Sequence, residues 1–182
     1  MNDIEWQRPD LRPHIKRISA AAGWRWRQRF SPRGALRRRV AGQVVLITGA
    51  SSGIGAGLSH RLARAGATVL LVARSLDKLQ DTVDDIRADG GRAHAYRCDL
   101  ADLDSCDRLC EQVLAEHGGV DILVNNAGNA GPTSRLDDLV PFWESDPSEW
   151  RRWMATNFDG VLNCTRHAMP LMVKGRYGRI VT

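Results

Sequence analysis

Short apolar runs alternate along this chain with longer stretches in which apolar residues recur every three or four positions. Val44–Thr48 is an unbroken run that reads as a buried strand, and Gly53–Ala65 reads as a helix ending at Gly66. Thr68–Ala73 (T-V-L-L-V-A) is a second strand, rich in β-branched and aliphatic residues. Leu76–Asp89 carries Leu76, Leu79, Val83 and Ile86 at spacings of 3, 4 and 3, an amphipathic stripe, and Gly90-Gly91 stops it. Arg92–Cys98 is a third strand. Asp102 is the N-cap of a helix through His117, with Leu103, Cys106, Leu109, Cys110, Val113 and Leu114 on its inner face. Gly118-Gly119 ends that helix, and Asp121–Val124 is a fourth strand. A loop then runs to Pro147, a long helix from about Ser148 to Val173, and a fifth strand opens at Gly178–Thr182. This alternation predicts an α/β fold, a doubly wound parallel sheet with helices on both faces and ligands at the carboxyl ends of its strands.

The junction of the first strand and helix carries the first chemistry. Thr48 to Gly55 reads T-G-A-S-S-G-I-G. A strand running into a glycine-spaced turn and a helix is how α/β proteins hold a pyrophosphate. Gly49 permits the tight turn, Gly53 lets backbone N–H groups approach phosphate, and Gly55 lets the helix pack on the strand.

Composition changes this picture at one end only. Hydrophobic residues make up 43% and charged residues 26% of the 182, ordinary globular values that exclude wholesale disorder. Residues 1–39 hold 11 Lys/Arg against 3 Asp/Glu, a balance of +8, while the remainder holds 15 against 18, or −3. The basic character therefore belongs to an N-terminal extension, residues 1–41, and the dinucleotide-binding body spans 42–182. Cys98, Cys106, Cys110 and Cys164 have no zinc-ligand spacing and read as reduced core thiols. No metal is expected. No apolar run approaches the roughly 20 residues that cross a bilayer, and no secretory signal is visible, so the expected location is cytoplasmic.

T-G-A-S-S-G-I-G (48–55), C-D-L (98–100), N-N-A-G (125–128), T-N-F-D-G (156–160) and G-R-I-V (178–181) occur in this order. In them residues 42–182 resemble the short-chain dehydrogenase/reductase family, in its compact single-domain branch. The resemblance implies a Rossmann-like fold and hydride transfer between a nicotinamide dinucleotide and a carbonyl or hydroxyl group. It also implies that Gly49, Ser51, Ser52, Gly53, Ile54 and Gly55 line the pyrophosphate and adenosine ribose. Asp99 and Leu100 would flank the adenine; Asn126, Ala127 and Gly128 would lie against the ribose and support the sheet. Asn157, in the long helix, matches the asparagine of the family's catalytic tetrad, which holds a water in a proton relay.

The end of the second strand bears on which dinucleotide. A carboxylate there would accept from the ribose hydroxyls and repel a 2′-phosphate. This chain has Ala73, then Arg74 and Ser75, whose guanidinium and hydroxyl suit a dianionic phosphate. NADP(H) is favoured over NAD(H).

The family's chemistry also needs a tyrosine with a lysine four residues on, and an upstream serine. A phenol of ordinary pKa near ~10 is a poor base at neutral pH without that cation. Tyr96 is followed at that distance by Leu100, and Tyr177 by Val181. By pattern the serine, tyrosine and lysine come after Thr182. The chain is therefore read as truncated and by itself inactive, the cofactor-binding half of an oxidoreductase that as a whole would be a homo-oligomer. The alternative is a non-catalytic dinucleotide-binding or interaction module, membrane-apposed through residues 1–40.

In the extension, Ile15, Ile18, Ala22, Trp26 and Phe30 form a helical stripe within a segment that includes W-R-W-R-Q-R-F (24–30). It suits an anionic membrane surface, packing on the body or a partner, or a tail. No nucleic-acid partner is expected, because no recognised nucleic-acid-binding fold accompanies the arginines. In Gly131–Asp146, Leu139, Val140, Phe142 and Trp143 would wall an apolar substrate or cover the core. A hydrophobic carbonyl compound is the substrate this suggests.

Overall fold

The computed structural model of the chain describes residues 33–128 and 141–182. The Trp/Arg-rich stretch at 24–30, the stripe from Ile15 to Phe30, and Leu139 and Val140 lie outside these residues. The element order is α1 (Arg33–Val40), β1 (Val44–Thr48), α2 (Gly53–Arg64), β2 (Thr68–Ala73), α3 (Leu76–Ala88), β3 (Arg92–Arg97), α4 (Leu103–His117) and β4 (Ile122–Val124). A 3-10 turn (Phe142–Glu144), α5 (Pro147–Met154), a π-helical turn (Ala155–Asp159), α6 (Gly160–Lys174) and β5 (Arg179–Val181) follow.

The five strands are all parallel, in the order β3-β2-β1-β4-β5. Strand order reverses between β1 and β4, so a crevice opens there at the carboxyl ends, as expected of a Rossmann-like sheet. Alternation along each strand assigns side chains to two cores. Val45, Ile47, Val69 and Leu71 pack with Leu62 of α2 and Leu79, Val83 and Ile86 of α3. Leu46, Leu70 and Val72 pack on the other face with Cys106, Leu109 and Val113 of α4 and Cys164, Ala168 and Met172 of α6. Burial of each such aliphatic side chain stabilises the fold by about 1.5–3 kcal/mol. The four cysteines are free, and three of them are buried in or beside this second core.

The strand and helix positions follow the expected pattern, with physical exceptions. The long helix read over 148–173 is three segments: α5, the π turn and α6. A widened turn has no composition signature, because its residues remain helix-compatible. Leu76, Leu103 and Leu114, assigned to inner faces by spacing, are 45%, 46% and 39% exposed, because each lies near a helix end rather than over the sheet. Within the basic N-terminal region, α1 buries Val40 in the first core and exposes Arg37, Arg38 and Arg39. Among the described residues no helix is long and apolar enough to cross a membrane.

Candidate functional site

The turn after β1 is built as its glycines require. Gly49 has φ +66°, and a Cβ there would stand 2.7 Å from Ala127 Cα. Gly55 is buried, and a Cβ on it would stand 2.5 Å from the Gly49 carbonyl and 2.6 Å from Asn126 Nδ2. Gly53, at φ +57°, has open space where its Cβ would be. Ser52 precedes α2 in extended conformation without capping it by its side chain, so the first N–H groups of α2 have no side-chain cap.

The N-N-A-G segment ties β4 to this turn. Thr48 is 1% exposed, and its hydroxyl accepts from the N–H groups of Asn126 and Ala127, both at 3.0 Å. Asn126 Nδ2 donates to the Thr48 and Gly49 carbonyls at 2.9 and 3.3 Å. Asn125 donates to Thr165 of α6 and to Thr182, both at 3.2 Å. One asparagine thus fixes the glycine turn, and its neighbour fixes the next strand and helix. Thr48 is a positioning residue the sequence reading passed over; its signal was its place as the buried first letter of the turn motif.

A cleft of about 1010 Å³ opens above these strand ends. Gly49, Ser51, Ser52, Gly53 and Ile54 line it from the turn, Arg74 and Ser75 from the end of β2, Asp99 and Leu100 after β3, and Asn126, Ala127 and Gly128 after β4. Gly55, alone of the thirteen residues expected to bind cofactor, is not on the lining; it sits beneath, as packing. Leu100 is only 8% exposed and belongs mainly to the second core, where Asn163 Nδ2 of α6 holds its carbonyl at 2.8 Å. Ile54 is 82% exposed at the mouth, an apolar surface that a bound ligand would cover. Lys78 and Arg97 also line the cleft, and sequence reading did not single them out.

Asn157 lies on the π turn rather than in a regular helix. The turn brings it to the end of β4, where a Cβ on Gly128 would stand 3.3 Å from Asn157 Oδ1. Its neighbour Thr156 lines the cleft. Neither tyrosine is on that lining. The Tyr96 hydroxyl donates to Glu116 at 2.6 Å and lies 2.6 Å from His117 Nε2, on the α4 side of the sheet. Burial, with the neighbouring Glu116, pushes its pKa up, away from the range of a base. Tyr177 Oη is buried with no hydrogen-bond partner among the described residues.

The histidines are more engaged than isolated surface residues. His117 packs edge-on against His94 with ring centroids 4.6 Å apart, and His167 bridges Asp107 and the Asn163 carbonyl at 2.6 Å each. Among the described residues no group of three or more His, Cys, Asp or Glu is placed to hold a metal ion.

The open helix N-terminus, the glycine turn and the cations at the β2 and β3 ends have the shape and donor chemistry for a phosphorylated dinucleotide. Comparison with known proteins agrees with that geometry. An uncharacterised oxidoreductase of Mycobacterium tuberculosis is 42% identical over 145 residues, covering 78% of this chain and 41% of that protein. A fatty acyl-CoA reductase of Acinetobacter baylyi is 38% identical over 145 residues, covering 80% and 48%. The crystal structure of a metagenomic short-chain oxidoreductase in complex with NADP superposes with a TM-score of 0.71 at 37% identity, covering 78% of this chain and 61% of that one. The chain spans less than half the length of these two curated relatives. The family model for short chain dehydrogenase matches residues 43–182, and the chain belongs to that family of oxidoreductases.

Proposed function

We propose that residues 42–182 form the cofactor-binding half of an NADP-dependent oxidoreductase that interconverts a carbonyl and a hydroxyl group. One observation carries this reading: the cleft gathers the glycine turn, Arg74 and Ser75, the C-D-L segment and N-N-A-G at the carboxyl ends of β1 to β4. The NADP held by the metagenomic relative supports the choice of dinucleotide. When bound, the nicotinamide supplies or accepts a hydride. The N–H groups of Gly53 and Ile54 would hold the pyrophosphate, and Arg74 and Ser75 the adenosine 2′-phosphate. Asp99 and Leu100 would bound the adenine, and Asn126, Ala127 and Gly128 would lie against the ribose. Asn157 would orient a water at the nicotinamide end.

The two tyrosines within residues 1–182 support the further reading that these residues bind the dinucleotide without turning it over. Neither has a lysine four positions on, and neither lines the cleft. The substrate of the whole oxidoreductase is a small carbonyl or alcohol compound; the fatty acyl-CoA reductase among the relatives supports an apolar one. Contact of residues 1–40 with an anionic membrane surface fits their charge, and co-sedimentation of that peptide with anionic liposomes tests it. For the central reading, NADPH fluorescence and absorbance at its reduced-nicotinamide band are measured with the 182-residue chain. Saturable binding without carbonyl-dependent oxidation is expected; oxidation above background would refute the non-catalytic part.

A further inference from the structure

Parity and register bring two more cations to the end of β2. Ala73, the last residue of β2, is paired in register with Arg97, the last of β3. Residues paired across parallel strands project from the same face, and Val69, Leu71, Ala73, Ala93 and Ala95 all contribute to the core beneath α3. By that alternation Arg97 belongs to the face α3 covers. Lys78, in the first turn of α3, stands over the same corner, and both residues line the cleft with Arg74.

All three cations are exposed, and none has a side-chain hydrogen bond or ion pair among the described residues. Their neighbours are employed differently. Arg87, the only arginine of α3, donates to the Ala93 carbonyl at 3.0 Å, and Arg92 of β3 donates to Thr68 and to the Gly66 carbonyl. Ser75 is the N-cap of α3 without a side-chain capping bond, which leaves its hydroxyl to a ligand. Two carboxylates share the cleft. Asp99 Oδ1 accepts from the Ala101 N–H at 3.1 Å, and Asp77 lies in the first turn of α3, where a helix favours a carboxylate.

We infer that Lys78 and Arg97, together with Arg74, form a three-cation receptor for the phosphate monoester on the adenosine 2′-oxygen. The inference rests on the NADP reading above and assigns two residues that reading does not use. An alkyl ammonium and two guanidinium groups around a dianion account for three unpaired cations that would otherwise repel one another in one cleft. The side chain of Ala73 is small enough to leave them room.

The test titrates 2′,5′-ADP and 5′-AMP into the 182-residue chain and its Lys78→Met, Lys78→Gln, Arg97→Met and Arg74→Met variants, with circular dichroism confirming the fold of each. These two nucleotides differ only in the phosphate at issue. Loss of one charge-assisted contact should weaken 2′,5′-ADP by about tenfold, and leave 5′-AMP within about twofold, for Lys78→Met and Arg97→Met as for Arg74→Met. The salt dependence of 2′,5′-ADP binding should flatten in the same variants. Asp77→Asn should tighten 2′,5′-ADP by a few-fold, since it removes an opposing charge. Unchanged discrimination in Lys78→Met, Lys78→Gln and Arg97→Met, with Arg74→Met impaired, would overturn the receptor and leave the NADP reading standing. Equal binding of the two nucleotides by the unaltered chain would overturn the NADP reading and the receptor with it. Failure of both to bind would overturn the dinucleotide site itself.

Discussion

The two ends of the cleft are made in different ways. The end proposed for the adenosine rests on residues that terminate strands: Arg74 after β2, Arg97 at the end of β3, and Asp99 two residues beyond it. Strand termini inherit their positions from the hydrogen-bonded ladder, so short motifs suffice to place them. The end proposed for the nicotinamide rests on contacts far apart in sequence: Asn126 on the Thr48 carbonyl, Asn125 on Thr165 and Thr182, and Asn157 beside Gly128 on a π turn. On the proposed function, binding is carried by local chemistry, and alignment of the reacting end by the packing of α6 and β4. Mutations should separate the two.

Gly55→Val should have the largest effect and damage both ends, because its Cβ meets the Gly49 carbonyl and Asn126 Nδ2 within 2.6 Å. NADPH binding is expected to vanish and stability to fall by about 1–3 kcal/mol from overpacking, read by fluorescence titration and urea denaturation. Retained binding would mean that the turn and N-N-A-G do not act as one unit. Thr48→Val comes next. It leaves the Ala127 N–H without its acceptor, and the Asn126 N–H with the Val124 carbonyl alone, at a cost of about 1–3 kcal/mol for the unpaired group, read by the same denaturation.

Arg74→Leu should sharpen the contrast. Affinity for NADPH is expected to fall about tenfold while that for NADH is unchanged, the signature of an adenosine-end residue. Asn157→Ala should leave NADPH affinity within about twofold, since it lies beside Gly128 and off the cleft lining. A tenfold loss there would show that the π turn bears on binding as well as alignment.

A pH effect on neither end provides the smallest expected change. Burial, then the neighbouring His117 and Arg87, holds the His94 pKa below its ordinary value, with Glu116 opposing. The unfolded chain therefore takes up that proton at higher pH than the folded one. The stability contribution is complete above about 6.5 and is lost as pH falls through the folded value. Urea midpoints should drop between pH 7.5 and 5.5, and His94→Gln should flatten the slope without altering NADPH binding at pH 7.5.

What the sequence made legible follows the same division. The turn T-G-A-S-S-G-I-G, the strand pattern and the cation at position 74 are local signals, and the structure brings them together at one cleft. Arg97 and Lys78 escaped notice because their convergence depends on the register of β2 against β3, which no single segment encodes. The π turn escaped because Ala155–Asp159 has the composition of an ordinary helix. Leu103 and Leu114 were misassigned because periodicity marks a face but not how far the sheet extends beneath it.

The most direct test of the account is a parallel titration of NADPH and NADH into the 182-residue chain, followed by nucleotide fluorescence. Saturable binding of NADPH, with NADH weaker by about tenfold or more, is the expected result. No binding, or NADH bound as tightly as NADPH, would contradict it.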